Sequence, residues 1–165
     1  MESKRGEGTT FFVHLPASKK PVRPSREPCT SVAEGEGTIL LIDDEASVLR
    51  ATQLLLEEVG YQVVTARDGA EALRCFEERR EEISLVLLDM IMPEMSGPEV
   101  FDKLRAMADN VPVLLSSGYA RDVKADDLLR RGAKGFIQKP FRLEDLSRRV
   151  RETISSKRAD GTEDS

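Results

Sequence analysis

Tryptophan is absent from this chain, histidine occurs once, and there are only two cysteines in 165 residues. Cys29 and Cys75 are too few and too scattered for a disulfide framework or a zinc site. Free thiols in a reducing compartment are expected instead. No apolar run approaches ~18 residues, so a transmembrane helix is excluded. Behind Met1-Glu2-Ser3-Lys4-Arg5 there is no apolar h-region, which argues against a secretory signal and for the cytoplasm. An excess of positive charge is lacking too, the net charge being −5. Residues 1–37 carry six Lys/Arg against five Asp/Glu, leaving 19 against 25 in the rest. With aromatics at 5%, that balance argues against nucleic acid as a direct partner. The basic cluster Arg148-Arg149-Val150-Arg151 has Glu144, Asp145 and Glu152 nearby and reads as a solvated helix face. No membrane contact by this segment is expected.

What is present divides into unequal pieces. Residues 1–16 end in Gly6-Glu7-Gly8-Thr9-Thr10-Phe11-Phe12-Val13-His14-Leu15-Pro16, a β-rich run that starts from a glycine turn. It is too short to bury a core alone. Residues 17–37, with prolines at 21, 24 and 28, have the composition of a linker. From Thr38 strands and helices alternate. Strands are predicted at 38–42, 61–65, 84–88, 112–116 and 134–138. Helices are predicted at 45–59, 69–80, 97–107, 121–131 and 143–155. Val48, Thr52, Leu55, Leu56 and Val59 form one apolar stripe, and Leu143, Leu146, Val150 and Ile154 another. Gly60 and Gly132 mark helix ends. Five such repeats in residues 38–155 imply an α/β fold with a parallel sheet and right-handed crossovers. Residues 156–165 are polar and read as a disordered tail.

The chemistry sits where the apolar runs stop. Leu85-Val86-Leu87-Leu88 delivers Asp89, and Met90-Ile91-Met92-Pro93 turns away at once. Ile39-Leu40-Leu41-Ile42 ends in Asp43-Asp44. Phe136-Ile137-Gln138 ends in Lys139-Pro140, and Ser117 ends the fourth strand. Open α/β sheets build their sites at the carboxyl ends of strands. Each residue has a plainer use: an Asp after a strand often caps a helix, Ser117 alone is an ordinary turn residue, and Lys139 alone an ordinary surface lysine. Together they suggest more. Three carboxylates would repel strongly unless a cation sat among them. Mg²⁺ suits all-oxygen ligands and commonly bridges to phosphate. Asp89 could then attack phosphorus, with Lys139 and the Ser117 hydroxyl facing the incoming oxygens.

These landmarks, in order and spacing, resemble the receiver domain of the two-component response-regulator family across residues 38–155. The resemblance implies a flavodoxin-like, doubly wound (βα)5 fold with strand order 2-1-3-4-5. It implies Asp89 as phosphoacceptor and Asp43, Asp44, Asp89 and the Ile91 backbone carbonyl as ligands of Mg²⁺. Ser117 and Lys139 would contact the phosphoryl group, with Pro140 the usual cis-proline neighbour, and Ser117 and Phe136 would form the switch pair. Residues 1–16, with Gly6 and Gly8, are similar to the last glycine box and closing strand of a histidine-kinase ATPase domain. The implied parent is a hybrid sensor histidine kinase, cut within its catalytic domain, with no output domain after the receiver. The fragment lacks the rest of the ATP site and any dimerisation helix with a phospho-accepting histidine. His14 reads as an outward strand residue. Phe11, Phe12 and Val13 would need burial on the receiver, at a sheet edge or against a second copy in a homodimer.

The resemblance further implies a phosphohistidine donor, either a histidine kinase core or a histidine phosphotransfer protein. Ile91 and Tyr119, two positions beyond Asp89 and Ser117, are not natural bases for a water, so slow self-dephosphorylation is expected. Competing readings are a vestigial receiver acting as an interaction module and an Mg²⁺-dependent phosphohydrolase using Asp89. The latter usually carries a second acid where Ile91 stands. A flavin-binding relative is disfavoured because Asp43-Asp44-Glu45 would repel a phosphate.

Overall fold

A computed structural model describes residues 2–4, 8–10, 12, 35–108, 110–119 and 123–160. Contacts divide the chain into two units, Met1–Thr30 and Ser31–Ser165. In the first, β1 (Glu2–Lys4) pairs antiparallel with β2 (Gly8–Thr10). A two-stranded hairpin is marginal on its own. Gly8 takes φ +100°, which a side chain would resist. Gly6, Phe11, Val13, His14, Cys29 and most of the expected linker lie outside the described residues.

The second unit runs β3 (Thr38–Ile42), α1 (Ala46–Glu58), β4 (Gln62–Ala66), α2 (Gly69–Arg79), β5 (Ile83–Asp89), α3 (Gly97–Met107), β6 (Val113–Ser117), α4 (Val123–Arg130), β7 (Gly135–Gln138) and α5 (Leu143–Asp160). The five strands are parallel and ordered β4-β3-β5-β6-β7, the expected 2-1-3-4-5. Alternation along the strands decides which helix covers which face. Leu40, Ile42, Val86, Leu88, Val113 and Leu115 pack with Phe76, Phe101 and Leu104 of α2 and α3. Ile39, Leu41, Leu85, Leu87 and Leu114 pack with Leu49 and Leu56 of α1 and Leu146 and Val150 of α5.

Boundaries differ from expectation for local reasons. Gly60 at φ +96° closes α1: its N–H donates to Glu57 O (3.0 Å) and the Tyr61 N–H to Leu56 O (3.1 Å). That is a Schellman closure. It uses the Tyr61 amide, so β4 starts at Gln62 rather than 61. Gly132 closes the turn after α4 in the same way. The buried stripe of α1 is Leu49, Thr52 and Leu56, with Val48 and Leu55 only half-buried. β6 begins after Pro112, which has no N–H to give a ladder. Helix α5 continues to Asp160, past the expected end at 155, through Lys157-Arg158-Ala159, residue types of good helix propensity. Residues 121 and 122 of the expected fourth helix lie outside the described residues, as do 161–165. Among the described residues no helix is long and apolar enough to cross a membrane.

Candidate functional site

The parallel register sets the strand ends level. Ile42 is opposite Leu88, Asp89 opposite Ser116, and Ser117 opposite Gln138. The residue after each strand therefore meets its neighbours along one edge of the sheet. Asp43, Asp44 and Asp89 each bring a carboxylate oxygen within 4.8 Å of the others. Asp43 and Asp89 are buried and Asp44 is exposed. Lys139 reaches across, its Nζ 2.6 Å from Asp43 Oδ2 and 2.9 Å from Asp89 Oδ2. The Lys139–Pro140 bond is cis, and the Lys139 N–H donates to Ser117 O (2.8 Å).

Backbone donors hold the acids in place. The Glu45 N–H donates to Asp43 Oδ1 (3.1 Å), so Asp43 also serves the start of α1. The Ile91 N–H approaches Asp89 Oδ1 at 3.4 Å. The loop after Asp89 is packed close: a Cβ at Gly97 would lie 2.5 Å from Asp89 O and 2.6 Å from Met90 Cα.

Burial pushes the Asp89 carboxyl above the ordinary carboxylate range. Lys139 and the Ile91 N–H oppose the rise, and the Asp43 charge adds to it. Burial alone would lower Lys139. Its hydrogen bonds and charge contacts with Asp43 and Asp89 outweigh that and raise it. One ammonium faces three carboxylates, leaving an all-oxygen, anionic donor set of the kind hard divalent cations take. The residues present fit such an ion.

Ser117 is buried, and its Oγ accepts from the Tyr119 N–H (3.1 Å). Phe136 is half-buried at the edge of the core. Between them and α4 lies a cavity of about 540 Å³, lined in part by Met90, Pro98, Val123 and Leu128. Sequence reasoning missed this cavity and the Lys139–Asp43 contact. Neither has a local signal, because each joins distant segments. Gly6 of the glycine box is outside the described residues, and Gly8 lies in the other unit.

The site is thus an acid cluster, a lysine and a hydroxyl along the carboxyl edge of a doubly wound sheet. The pattern of the response regulator receiver domain matches residues 39–151. The chain belongs to that family. It is 35% identical over 162 residues to the sensor kinase CckA of Brucella abortus, covering 93% of this chain and 17% of the kinase. Other curated relatives are transcriptional regulators, of whose length the chain spans about half. Among solved structures, a response regulator receiver domain protein from Clostridium thermocellum superposes with TM-score 0.72 and 31% identity, over 75% of this chain and 98% of that one. The CheX-CheY-BeF3-Mg+2 complex from Borrelia burgdorferi gives a TM-score of 0.67 and 27% identity, over 70% of this chain and 87% of that one.

Proposed function

We propose that this domain takes a phosphoryl group from a phosphohistidine onto Asp89 and changes a protein-binding surface in response. The observation that carries the reading is the convergence of Asp43, Asp44 and Asp89 within 4.8 Å, with Lys139 2.9 Å from Asp89. An Asp89 oxygen forms the new P–O bond as the donor's P–N bond breaks, and the imidazole leaves with a proton from solvent. Lys139, already at the acceptor, meets the charge on the transferring oxygens. Asp43, Asp44, Asp89 and the Ile91 carbonyl would hold Mg²⁺, which when bound neutralises the acid cluster and the phosphoryl oxygens. The relative solved with Mg+2 and BeF3 supports that choice.

Ser117 and Phe136 are the switch in this reading. A phosphoryl group on Asp89 draws the Ser117 hydroxyl, and Phe136 turns into the space, biasing the face formed by α4, β7 and α5. The cavity beside both residues supports this, since it leaves the ring room to move.

We assign residues 1–16 to the end of a histidine-kinase ATPase domain, 17–37 to a linker, and 38–155 to the receiver, whose last helix runs on to Asp160 in place of the expected tail from 156. The parent would be a hybrid sensor histidine kinase. The length of the likeness to the sensor kinase supports this. It covers 93% of the chain, more than residues 38–155 can supply, whereas a likeness to a regulator covers 70%. Partners would be a kinase core or a histidine phosphotransfer protein, in the cytoplasm where ATP feeds the donor.

The test is intact mass after incubation with Mg²⁺ and acetyl phosphate, beside Asp89→Asn. One phosphoryl gain that requires Mg²⁺ and disappears in the variant is expected. No gain, from acetyl phosphate or from a phosphohistidine donor, would make the domain an interaction module instead.

A further inference from the structure

The two oxygens of the Asp89 carboxylate are held from different sides. Oδ2 meets the Lys139 ammonium at 2.9 Å, and Oδ1 faces the Ile91 N–H at 3.4 Å. Lys139 follows directly on β7. Ile91 stands instead in the loop 90–96 between β5 and α3, so its amide is only as fixed as that loop.

The loop is tied at its start and strained in its middle. The Met90 N–H donates to Ser116 O (2.9 Å), which continues the sheet by one residue. Met90 and Met92 are buried, with exposed Ile91 between them. Further on, the Met95 N–H donates to Pro93 O (2.7 Å) across Glu94, whose φ is +64°. A three-residue turn with positive φ at a residue bearing a side chain is strained. It persists only where its flanks over-determine it.

The far flank is Ser96. Its hydroxyl and its N–H both donate to Glu99 Oε2, at 2.7 and 2.9 Å. The hydroxyl bond, with the N–H bond behind it, holds the Glu99 carboxyl below its ordinary range. The next residue, Gly97, donates its N–H back to Met90 O (3.2 Å) and is pressed against the Asp89 carbonyl. Glu99 therefore clamps the residue on which the loop closes.

We propose that Glu99 is a positioning residue for the phosphoacceptor: through Ser96 it holds the strained loop closed on Met90, and so keeps Ile91 in place beside Asp89. Resting on the phosphoacceptor reading, the clamp serves two ends. The Ile91 N–H keeps the Asp89 carboxylate from turning about its contact with Lys139, which preserves the line of attack on phosphorus. The Ile91 carbonyl stays available as a ligand for Mg²⁺, and a ligand held in advance costs less to bind than one that must be ordered.

Glu99→Ala and Glu99→Gln in the full chain test the clamp. Alanine removes both acceptor contacts and is itself a good helix former, so the body of α3 is not weakened. Glutamine loses the charge but keeps an oxygen for both donors. Amide exchange without metal reads the loop. The Gly97 amide should exchange about fivefold faster in Glu99→Ala, the scale of one modest hydrogen bond, and return toward wild type in Glu99→Gln. The Val86 and Leu88 amides in β5 should change less than Gly97 in both. Calorimetric titration should show Mg²⁺ binding about tenfold weaker in Glu99→Ala alone. Phosphoryl gain from acetyl phosphate at saturating Mg²⁺, followed by mass, should slow about tenfold or more in the same variant.

An unchanged Gly97 amide in Glu99→Ala would overturn the clamp. So would a Glu99→Gln variant that behaves like Glu99→Ala, by making the charge at the helix start the cause. Faster Gly97 exchange with Mg²⁺ affinity and phosphoryl gain both unchanged would overturn the positioning role and leave a helix cap. A wild type that neither binds Mg²⁺ nor gains mass is a different result: there the phosphoacceptor reading itself fails, whereas a loss confined to Glu99→Ala speaks for the clamp.

Discussion

Asp89 is pulled two ways. Burial and the Asp43 charge favour its neutral form, while Lys139 and the Ile91 N–H favour the ionised one, and the net effect is a raised pKa. A carboxyl with a raised folded-state pKa binds more protons folded than unfolded above its ordinary value of 3.8. Its contribution to stability is therefore present at low pH and lost as pH rises through that window. Without metal at neutral pH, Asp89→Asn should raise Tm by about 2–4 °C, the response of a chain this size to ~1 kcal/mol. The variant's stability should also vary less with pH in that window. Saturating Mg²⁺ should reverse the ranking, because only the wild type keeps the full ligand set and gains by mass action. Thermal melts with and without Mg²⁺ check both points.

Ile91 and Tyr119 act at the same scale. Both are exposed near the site, at 55% and 71%, and neither is a base suited to orient an attacking water. The phosphorylated domain should hold its group for many minutes or longer. Tyr119→Glu with Ile91→Asn should shorten that lifetime, with ~10²-fold as the lower end of what a positioned base contributes. Phosphoryl loss followed by mass decides it, and an unchanged lifetime refutes the assignment.

Elements place these residues, and their ends matter more than their middles. Helix α3 starts at Gly97, pressed against the Asp89 and Met90 backbone. Gly97→Ala forces that backbone to shift. It should cost about 1–3 kcal/mol, as overpacking does, and slow phosphoryl uptake, read by urea unfolding and by mass. At the other end of α4, Arg105 donates to Gly132 O (2.5 Å) and Arg131 pairs with Asp102 of α3. The closing glycines of α1 and α4 were legible because Gly60 and Gly132 are the residues that adopt positive φ readily. The central stripe residue of α1 was not. Val48 and Leu49 are both apolar, and only packing puts Leu49 inward.

Across the whole receiver unit, one sheet is shared by two apolar layers. Leu146 is fully buried in the layer with α1 and α5, and Phe76 in the layer with α2 and α3. Leu146→Ala should cost about 2–5 kcal/mol and Phe76→Ala about 3–5 kcal/mol. Both layers rest on the same five strands, so either variant should lower a single cooperative transition rather than split it. Urea unfolding followed by circular dichroism, with exchange of amides on both faces, would show a split if the layers were independent.

Local pattern determined the residue types on offer and where along the chain they fall. Apolar runs of strand length made strands, each ended in a polar or charged group, and five repeats required a parallel sheet. Asp43, Asp44, Asp89, Ser117 and Lys139 were therefore legible as neighbours on one edge. Tertiary structure decided which of them touch. Lys139 is bonded to Asp43 across 96 positions, and the cavity opens among β6, β7 and α4. Such contacts depend on strand register and on how each helix settles over its face. Those are set by burial summed over the whole sheet, which no local run of sequence records.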